Sequence, residues 1–196
     1  WEIRWFRRNS DLPGEASILE IGCGRGAGAR IIYRAFRPGL FHASDLDLEM
    51  IRKAEEFLPG EDRKPIRFLT ADVLNLPYRA ASFDAIFGFG VLHHVPDWRS
   101  ALSEIARVLK PGGIYFLEEL YPGLYQNFIT KHILLHPREN RFQSGDLKQA
   151  LRNQSMELRA SLEMKMLGIL GIAVKSTCAA APHPDLEVNK DGAISG

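Results

Sequence analysis

The sequence predicts an α/β fold built on a doubly wound, mostly parallel sheet, and three observations carry that expectation. Short apolar runs alternate with amphipathic helical stretches along the chain, as repeated strand–helix units require. The apolar runs are nearly continuous rather than alternating with polar residues, which fits strands covered on both faces. The first run leads directly into a glycine-rich turn and then a helical pattern, in Ile18-Leu-Glu-Ile-Gly-Cys-Gly-Arg-Gly-Ala-Gly28.

In chain order, residues 1–16 read as an incomplete N-terminal helical segment, because the chain opens on Trp1 rather than Met. Arg4, Arg7 and Arg8 are interleaved there with Trp1, Trp5 and Phe6. That pattern describes either an amphipathic helix packed on the domain with its arginines in water, or a helix for a membrane surface or substrate lid. Strands are expected near 18–22, 41–45, 66–70, 83–88 and 113–118, with helices near 27–37, 47–58 and 97–109. Asp47 serves the second helix as N-cap, and Leu48, Ile51, Ala54 and Leu58 form its apolar face. In the third helix Trp98, Leu102, Ile105 and Leu109 recur at helical spacing, and Pro111-Gly112-Gly113 is expected to end it. Ser144-Gly-Asp146 caps a short helix running to about Asn153, and two β-rich runs, 156–166 and 168–175, are close enough for an antiparallel hairpin at one sheet edge. The main domain is therefore set at 17–178 with a lid-like insertion near 120–155, and 179–196, without apolar periodicity, is read as a disordered tail.

The turn after the first strand marks a nucleotide site, since glycines permit positive φ and let a ligand lie close against the backbone. Two ligands compete for it. Gly22-x-Gly24-x-x-Ala27 satisfies the loose dinucleotide fingerprint, and Asp45 follows at the distance of a ribose-binding acid. Glu20 discriminates, being the last outward position of the strand, two places before the first glycine. A carboxylate there would repel a pyrophosphate, whereas it suits a cation. S-adenosylmethionine, with its sulfonium and α-ammonium, is such a ligand. The plain alternative is a tight turn with Glu20 in water. Asp45, at a strand C-terminus, can accept both ribose hydroxyls. Asp72, just after the third strand, can accept from the adenine amine while Val73 touches the ring, or it is an ordinary turn residue.

These segments resemble a known family. Glu20-Ile-Gly-Cys-Gly-Arg-Gly26, Asp45, Ala71-Asp72-Val73-Leu-Asn-Leu-Pro77, Ser82-Phe-Asp84, Val91-Leu-His-His-Val-Pro-Asp97 and Arg107-Val-Leu-Lys-Pro-Gly-Gly113 are similar to the successive motifs of the class I S-adenosylmethionine-dependent methyltransferases. The branch they resemble is the small-molecule type that includes the ubiquinone and menaquinone biosynthesis enzymes. The resemblance covers roughly residues 17 to 118 and becomes generic after Glu119. It implies a Rossmann-like, seven-stranded sheet with the antiparallel hairpin as its last two strands. It also implies a cofactor set of Glu20, Gly22, Cys23, Gly24, Gly26, Asp45, Leu46, Met50, Asp72, Val73 and Gly88. S-adenosylmethionine is then the cofactor, S-adenosylhomocysteine the product, and a small molecule the methyl acceptor.

Candidate catalytic residues lie after the fourth strand. His93 and His94 stand at the carboxyl edge of the sheet, where open α/β folds bind ligands, and an imidazole titrates near neutrality. Either could take a proton from an acceptor, or both simply fill a strand-to-helix corner. Glu118, Glu119 and Tyr121 end the fifth strand on the same edge and could orient an acceptor, or they are a solvated strand end. Tyr121, Tyr125, Phe128, His132 and His136 recur every three or four positions, which would cover an aromatic acceptor or pack a core. His132 and His136 have metal-friendly spacing without a third ligand nearby, so no metal is expected.

Composition narrows the rest. A chain of 196 residues with a net charge of +1 makes one domain without a nucleic-acid footprint. No apolar run approaches a membrane span and no signal peptide is visible, so stable membrane insertion is not expected. The two cysteines, Cys23 and Cys178, suit a reducing cytoplasm, and Cys23 reads as a small core-facing side chain more readily than as a nucleophile. Two rivals stay open, an NAD-dependent oxidoreductase on the same loop and a non-catalytic S-adenosylmethionine-binding module. Neither the acceptor nor the oligomeric state is written in the sequence.

Overall fold

The computed structural model describes residues 1–122, 141–164 and 167–177. Its strands are β1 Ser17–Ile21, β2 Leu40–Asp45, β3 Ile66–Thr70, β4 Phe83–Phe89, β5 Leu109–Leu120, β6 Met156–Met164 and β7 Gly168–Lys175. The helices are α1 Glu2–Arg8, α2 Ala27–Phe36, α3 Leu48–Phe57, α4 Gly60–Arg63, α5 Trp98–Val108 and α6 Ser144–Asn153, with a 3-10 turn at Leu92–His94. The strands form one seven-stranded sheet in the order β3-β2-β1-β4-β5-β7-β6. β1 to β5 pair in parallel, while β7 runs antiparallel between β5 and β6. The mostly parallel sheet with an antiparallel edge is the one that the sequence predicts.

Strand order sets the site. β1 and β4 are neighbours, and their connections leave in opposite directions, so a crevice opens beyond their carboxyl ends. The two loops that leave those ends meet there: a Cβ added to Gly22 would lie 2.7 Å from Val91 Cγ2.

Both faces of the sheet are covered. On one, Leu19, Ile21, Ile86, Tyr115 and Leu117 pack with Trp98, Leu102 and Ile105 of α5 and Leu147 and Leu151 of α6. On the other, Ile18, Phe41, Phe87 and Phe116 pack with Ile32 of α2 and Phe6 of α1, and Phe87 stacks on Phe116 at 4.4 Å between ring centroids. Phe6 is wholly buried while Arg4, Arg7 and Arg8 are exposed, so α1 packs on the domain with its arginines in water.

The edge opposite the crevice is tied by a polar latch. Asp84 Oδ2 accepts from the Ser17 N–H at 2.8 Å and from Ser17 Oγ at 2.6 Å, and Lys110 Nζ donates to Asp84 Oδ1 at 2.8 Å. Ser17, Asp84 and Lys110 join β1, β4 and β5, which gives two of the sequence motifs a structural role away from the crevice.

Two local expectations differ. α5 ends at Val108, and Leu109 already pairs with Phe83, so Pro111-Gly112-Gly113 lies inside β5 at a register shift rather than at the helix end. The helix end is closed instead by Lys175 of β7, whose Nζ donates to the Ala106 and Leu109 carbonyls at 2.7 and 2.9 Å. α6 is capped one residue earlier than expected, by Gln143, with Asp146 accepting from the Gln143 N–H at 3.0 Å. Residues 123–140, with Tyr125, Phe128, His132 and His136, and residues 178–196, with Cys178, lie outside the described residues.

Candidate active site

The glycine loop is wound as its composition requires. Gly22, Gly24 and Gly26 all have positive φ, 63°, 51° and 78°, and Gly26 is the N-cap of α2. A Cβ on Gly24 would meet nothing within 4 Å, so the loop presents bare backbone to open space at that residue. The Cys23 N–H is spent on the Ser44 carbonyl at 2.9 Å. Cys23 itself is buried, and burial, then the neighbouring Glu20 and Asp45 carboxylates, push its thiol up, which disfavours a nucleophilic thiolate.

Asp45 is the organising acid of the loop. Its Oδ2 accepts from the Gly24 N–H at 2.8 Å and its Oδ1 from the Asp47 N–H at 3.0 Å. One carboxylate therefore fixes both the glycine turn and the start of α3, and each oxygen keeps lone-pair capacity for a hydroxyl.

Glu20 is not outward-facing. It is 2% exposed, points to the α2 side of the sheet beneath Gly28, and its Oε2 has no hydrogen-bond partner. A Cβ on Gly28 would collide with Glu20 Oε1, so glycine at the first turn of α2 makes the room for this carboxylate. Burial, and then Asp45, hold the Glu20 carboxyl well above the ordinary carboxylate range. An unpartnered buried oxygen with a cation-favouring field is what the methionine end of S-adenosylmethionine would satisfy. Linkage gives a test, because a raised folded-state pKa means that the folded chain binds more protons than the unfolded one. Stability without ligand should therefore fall as pH rises upward from the ordinary value of 4.5, and Glu20→Gln should flatten that slope in melting curves recorded across pH.

The remaining cofactor candidates divide. Leu46 is exposed and Met50 half-buried beyond the end of β2. Asp72 is exposed at the same edge, and its Oδ1 accepts from the Leu74 N–H at 2.9 Å, an Asx turn that leaves its other oxygen uncommitted among the described residues. Val73 packs against the core of the α5 face. Gly88 lies inside the sheet, and a Cβ there would stand 2.9 Å from Tyr115 Oη and 3.3 Å from Ile21 Cδ1, so its position serves close packing.

The acids and histidines form a second centre. Glu119 has no exposed surface; its Oε1 accepts from the Val91 and Leu92 N–H groups at 3.2 and 2.8 Å, and its Oε2 from the His93 N–H at 3.2 Å. His93 Nδ1 lies 2.8 Å from the same Oε2. The carboxylate at the end of β5 thus clamps the whole turn that follows β4. His94 is exposed, its ring 4.3 Å from that of His93. Tyr121 is buried, and its hydroxyl donates to Glu163 Oε1 at 2.9 Å, while Lys148 holds Glu163 Oε2 at 2.6 Å. Glu119 and Tyr121 are thus engaged within the protein rather than directed at open space.

Sequence reasoning missed a pocket of about 360 Å³ beyond the end of β5. Trp1 and Glu2 at the start of α1, Glu118 and Leu120 of β5, and Leu162, Met164, Leu167 and Ile169 of the hairpin line it. The only signal was the apolar spacing of Leu162 and Met164, which reads as ordinary strand alternation. Among the described residues no cluster of three metal-ligating side chains occurs.

The family model described as a methyltransferase domain matches residues 19–117, half of the chain, from β1 to the body of β5. The chain belongs to this methyltransferase family. Its cofactor is accordingly S-adenosylmethionine, and the dinucleotide alternative finds no support. Curated relatives include the phthiotriol/phenolphthiotriol dimycocerosates methyltransferase of Mycobacterium tuberculosis, 36% identical over 115 residues, covering 58% of this chain and 40% of that one. The demethylmenaquinone methyltransferase of Lactococcus lactis is 35% identical over 127 residues, covering 63% and 50%. The methyltransferase chain thus spans half or less of the length of these relatives. Among solved structures, the S-adenosylmethionine-dependent methyltransferase of Mesorhizobium loti superposes with a TM-score of 0.71 at 18% identity, covering 88% of this chain and 96% of that one, a likeness of fold.

Proposed function

We propose that this methyltransferase moves a methyl group from S-adenosylmethionine to a small acceptor with an apolar body, received in the pocket beyond β5. The observation that carries this reading is the pocket itself, whose walls are mainly Trp1, Leu120, Leu162, Met164, Leu167, Ile169 and Leu170. The substrates in the relatives' names, phthiotriol/phenolphthiotriol dimycocerosates and demethylmenaquinone, support an apolar acceptor. The reading leaves nucleic acid aside, supported by a net charge of +1, and places the chain in a reducing cytoplasm, supported by two cysteines without a disulfide framework.

In this reading Glu20 receives the methionine ammonium, the Gly22–Gly26 backbone lies along the methionine portion, Asp45 accepts from the ribose, and Asp72 with Val73 meets the adenine. When bound, the cofactor supplies a methyl carbon that is already electrophilic and a neutral thioether leaving group. The protein's task is then to align acceptor and methyl and to exclude water, an effect that reaches about 7–11 kcal/mol in favourable cases. An acceptor that is protonated at working pH must also lose a proton. His93, whose ring is held by Glu119 through Nδ1 at 2.8 Å, is the histidine assigned here as the base. Glu119 does not touch the acceptor in this scheme; it is a positioning residue.

The test is transfer of labelled methyl from S-adenosylmethionine to a panel of acceptors that share a hydroxyl or quinol head and differ in apolar length. Turnover that rises with apolar length and falls on Leu120→Glu supports the reading, while preference for polar heads without a tail overturns it.

A further inference from the structure

We propose that the outer face of α1 and the adjoining end of the β6–β7 hairpin form a docking surface for an anionic phospholipid bilayer, which sets the mouth of the pocket against the membrane. Trp1, Leu162, Met164 and Leu167 all line the pocket, and their exposures are 77%, 45%, 64% and 36%. Single exposed hydrophobics are ordinary, but four around one opening form a contiguous apolar rim.

The second observation is the charge beside that rim. On α1, Phe6 is buried and Ile3 packs on the core, whereas Trp1, Arg4 and Arg8, spaced i, i+3 and i+7, share the opposite face. Arg4, Arg7 and Arg8 are exposed, and none is ion-paired with an acid among the described residues. Of the four acids of the pocket, Glu163 is neutralised by Lys148 at 2.6 Å, Glu119 is buried and Glu118 is half-buried on the inner wall, which leaves the half-buried Glu2 against three exposed arginines and α1 with a net positive charge. An indole at the headgroup level, flanked by aliphatic side chains that enter the acyl boundary and by guanidinium groups that meet lipid phosphates, is the chemistry of a membrane surface. No crossing is implied, since no described helix is long and apolar enough to span a bilayer.

Vesicle co-sedimentation tests this without reference to methyl transfer, so its failure leaves the enzymatic reading standing. The chain should sediment with phosphatidylcholine vesicles containing phosphatidylglycerol and not with phosphatidylcholine alone, and high salt should release it. Arg4→Glu/Arg8→Glu should weaken binding about tenfold or more, since each basic side chain near the surface contributes about fivefold. Arg4→Gln/Arg8→Gln gives a milder form of the test if charge reversal disturbs α1. Leu162→Asp/Met164→Asp should abolish binding, and Arg52→Glu/Lys64→Glu, with the same change in net charge on α3 and just after α4, should bind as the native chain does. Absence of binding to anionic vesicles, or equal loss in the Arg52→Glu/Lys64→Glu control, overturns the proposal. Self-association that Leu162→Asp/Met164→Asp removes, without vesicle binding, assigns the rim to a second copy and overturns it as well.

Discussion

Asp45→Ala is expected to weaken S-adenosylmethionine binding by about tenfold or more while leaving the sheet folded. Two charge-assisted hydrogen bonds, from the Gly24 and Asp47 N–H groups, disappear together with the acceptor proposed for the ribose. The loss falls on the loop rather than on the core, because Asp45 is only half-buried and its partners are backbone groups beside solvent. Asp45→Asn keeps one acceptor oxygen and should fall between the two. Isothermal titration with S-adenosylhomocysteine reads the change, and an unchanged dissociation constant would remove Asp45 from the cofactor site.

The second large effect is at Glu119. Glu119→Ala leaves three backbone N–H groups and the His93 ring without their acceptor in a place water does not reach, and a loss of about 3–5 kcal/mol is expected in urea unfolding. Glu119→Gln keeps the shape, so it separates positioning from folding. Its amide offers one oxygen where the carboxylate offers two, and the imidazole loses its anionic partner. Turnover on an acceptor that must be deprotonated should drop much more than cofactor affinity. A Glu119→Gln enzyme with native turnover would reduce Glu119 to a structural clamp, and with it the case for His93 as base. His93→Ala should reproduce the turnover loss, and His94→Ala should not.

The sheet was legible because its signals are local. Apolar runs, the glycine turn and the cap Asp47 each sit within a few residues of the element they define, and β1 to β4 begin and end within a residue of expectation. β5 was misjudged at its start, because the end of α5 is closed by Lys175, 66 residues from Leu109. The same distance hid the second centre. Glu119 reads as a strand-end acid until the turn 26–28 residues upstream folds over it, and Tyr121 reads as an edge residue until Glu163, 42 residues on, takes its hydroxyl. Glu20 was recognised as the discriminating acid, but its burial depends on Gly28 above it, a packing fact that the strand pattern does not carry. The pocket is assembled from α1, β5 and the hairpin, three segments with no shared motif.

Whether the glycine loop with Glu20 takes a cationic cofactor is read from thermal stabilisation of the chain by S-adenosylhomocysteine, S-adenosylmethionine and NAD side by side. A ligand at about 100 times its dissociation constant adds roughly 2.7 kcal/mol, a clear melting shift. A shift is expected with the first two, reduced in Glu20→Gln, and none with NAD. A shift with NAD alone, or S-adenosylmethionine stabilisation that Glu20→Gln leaves untouched, would contradict that expectation.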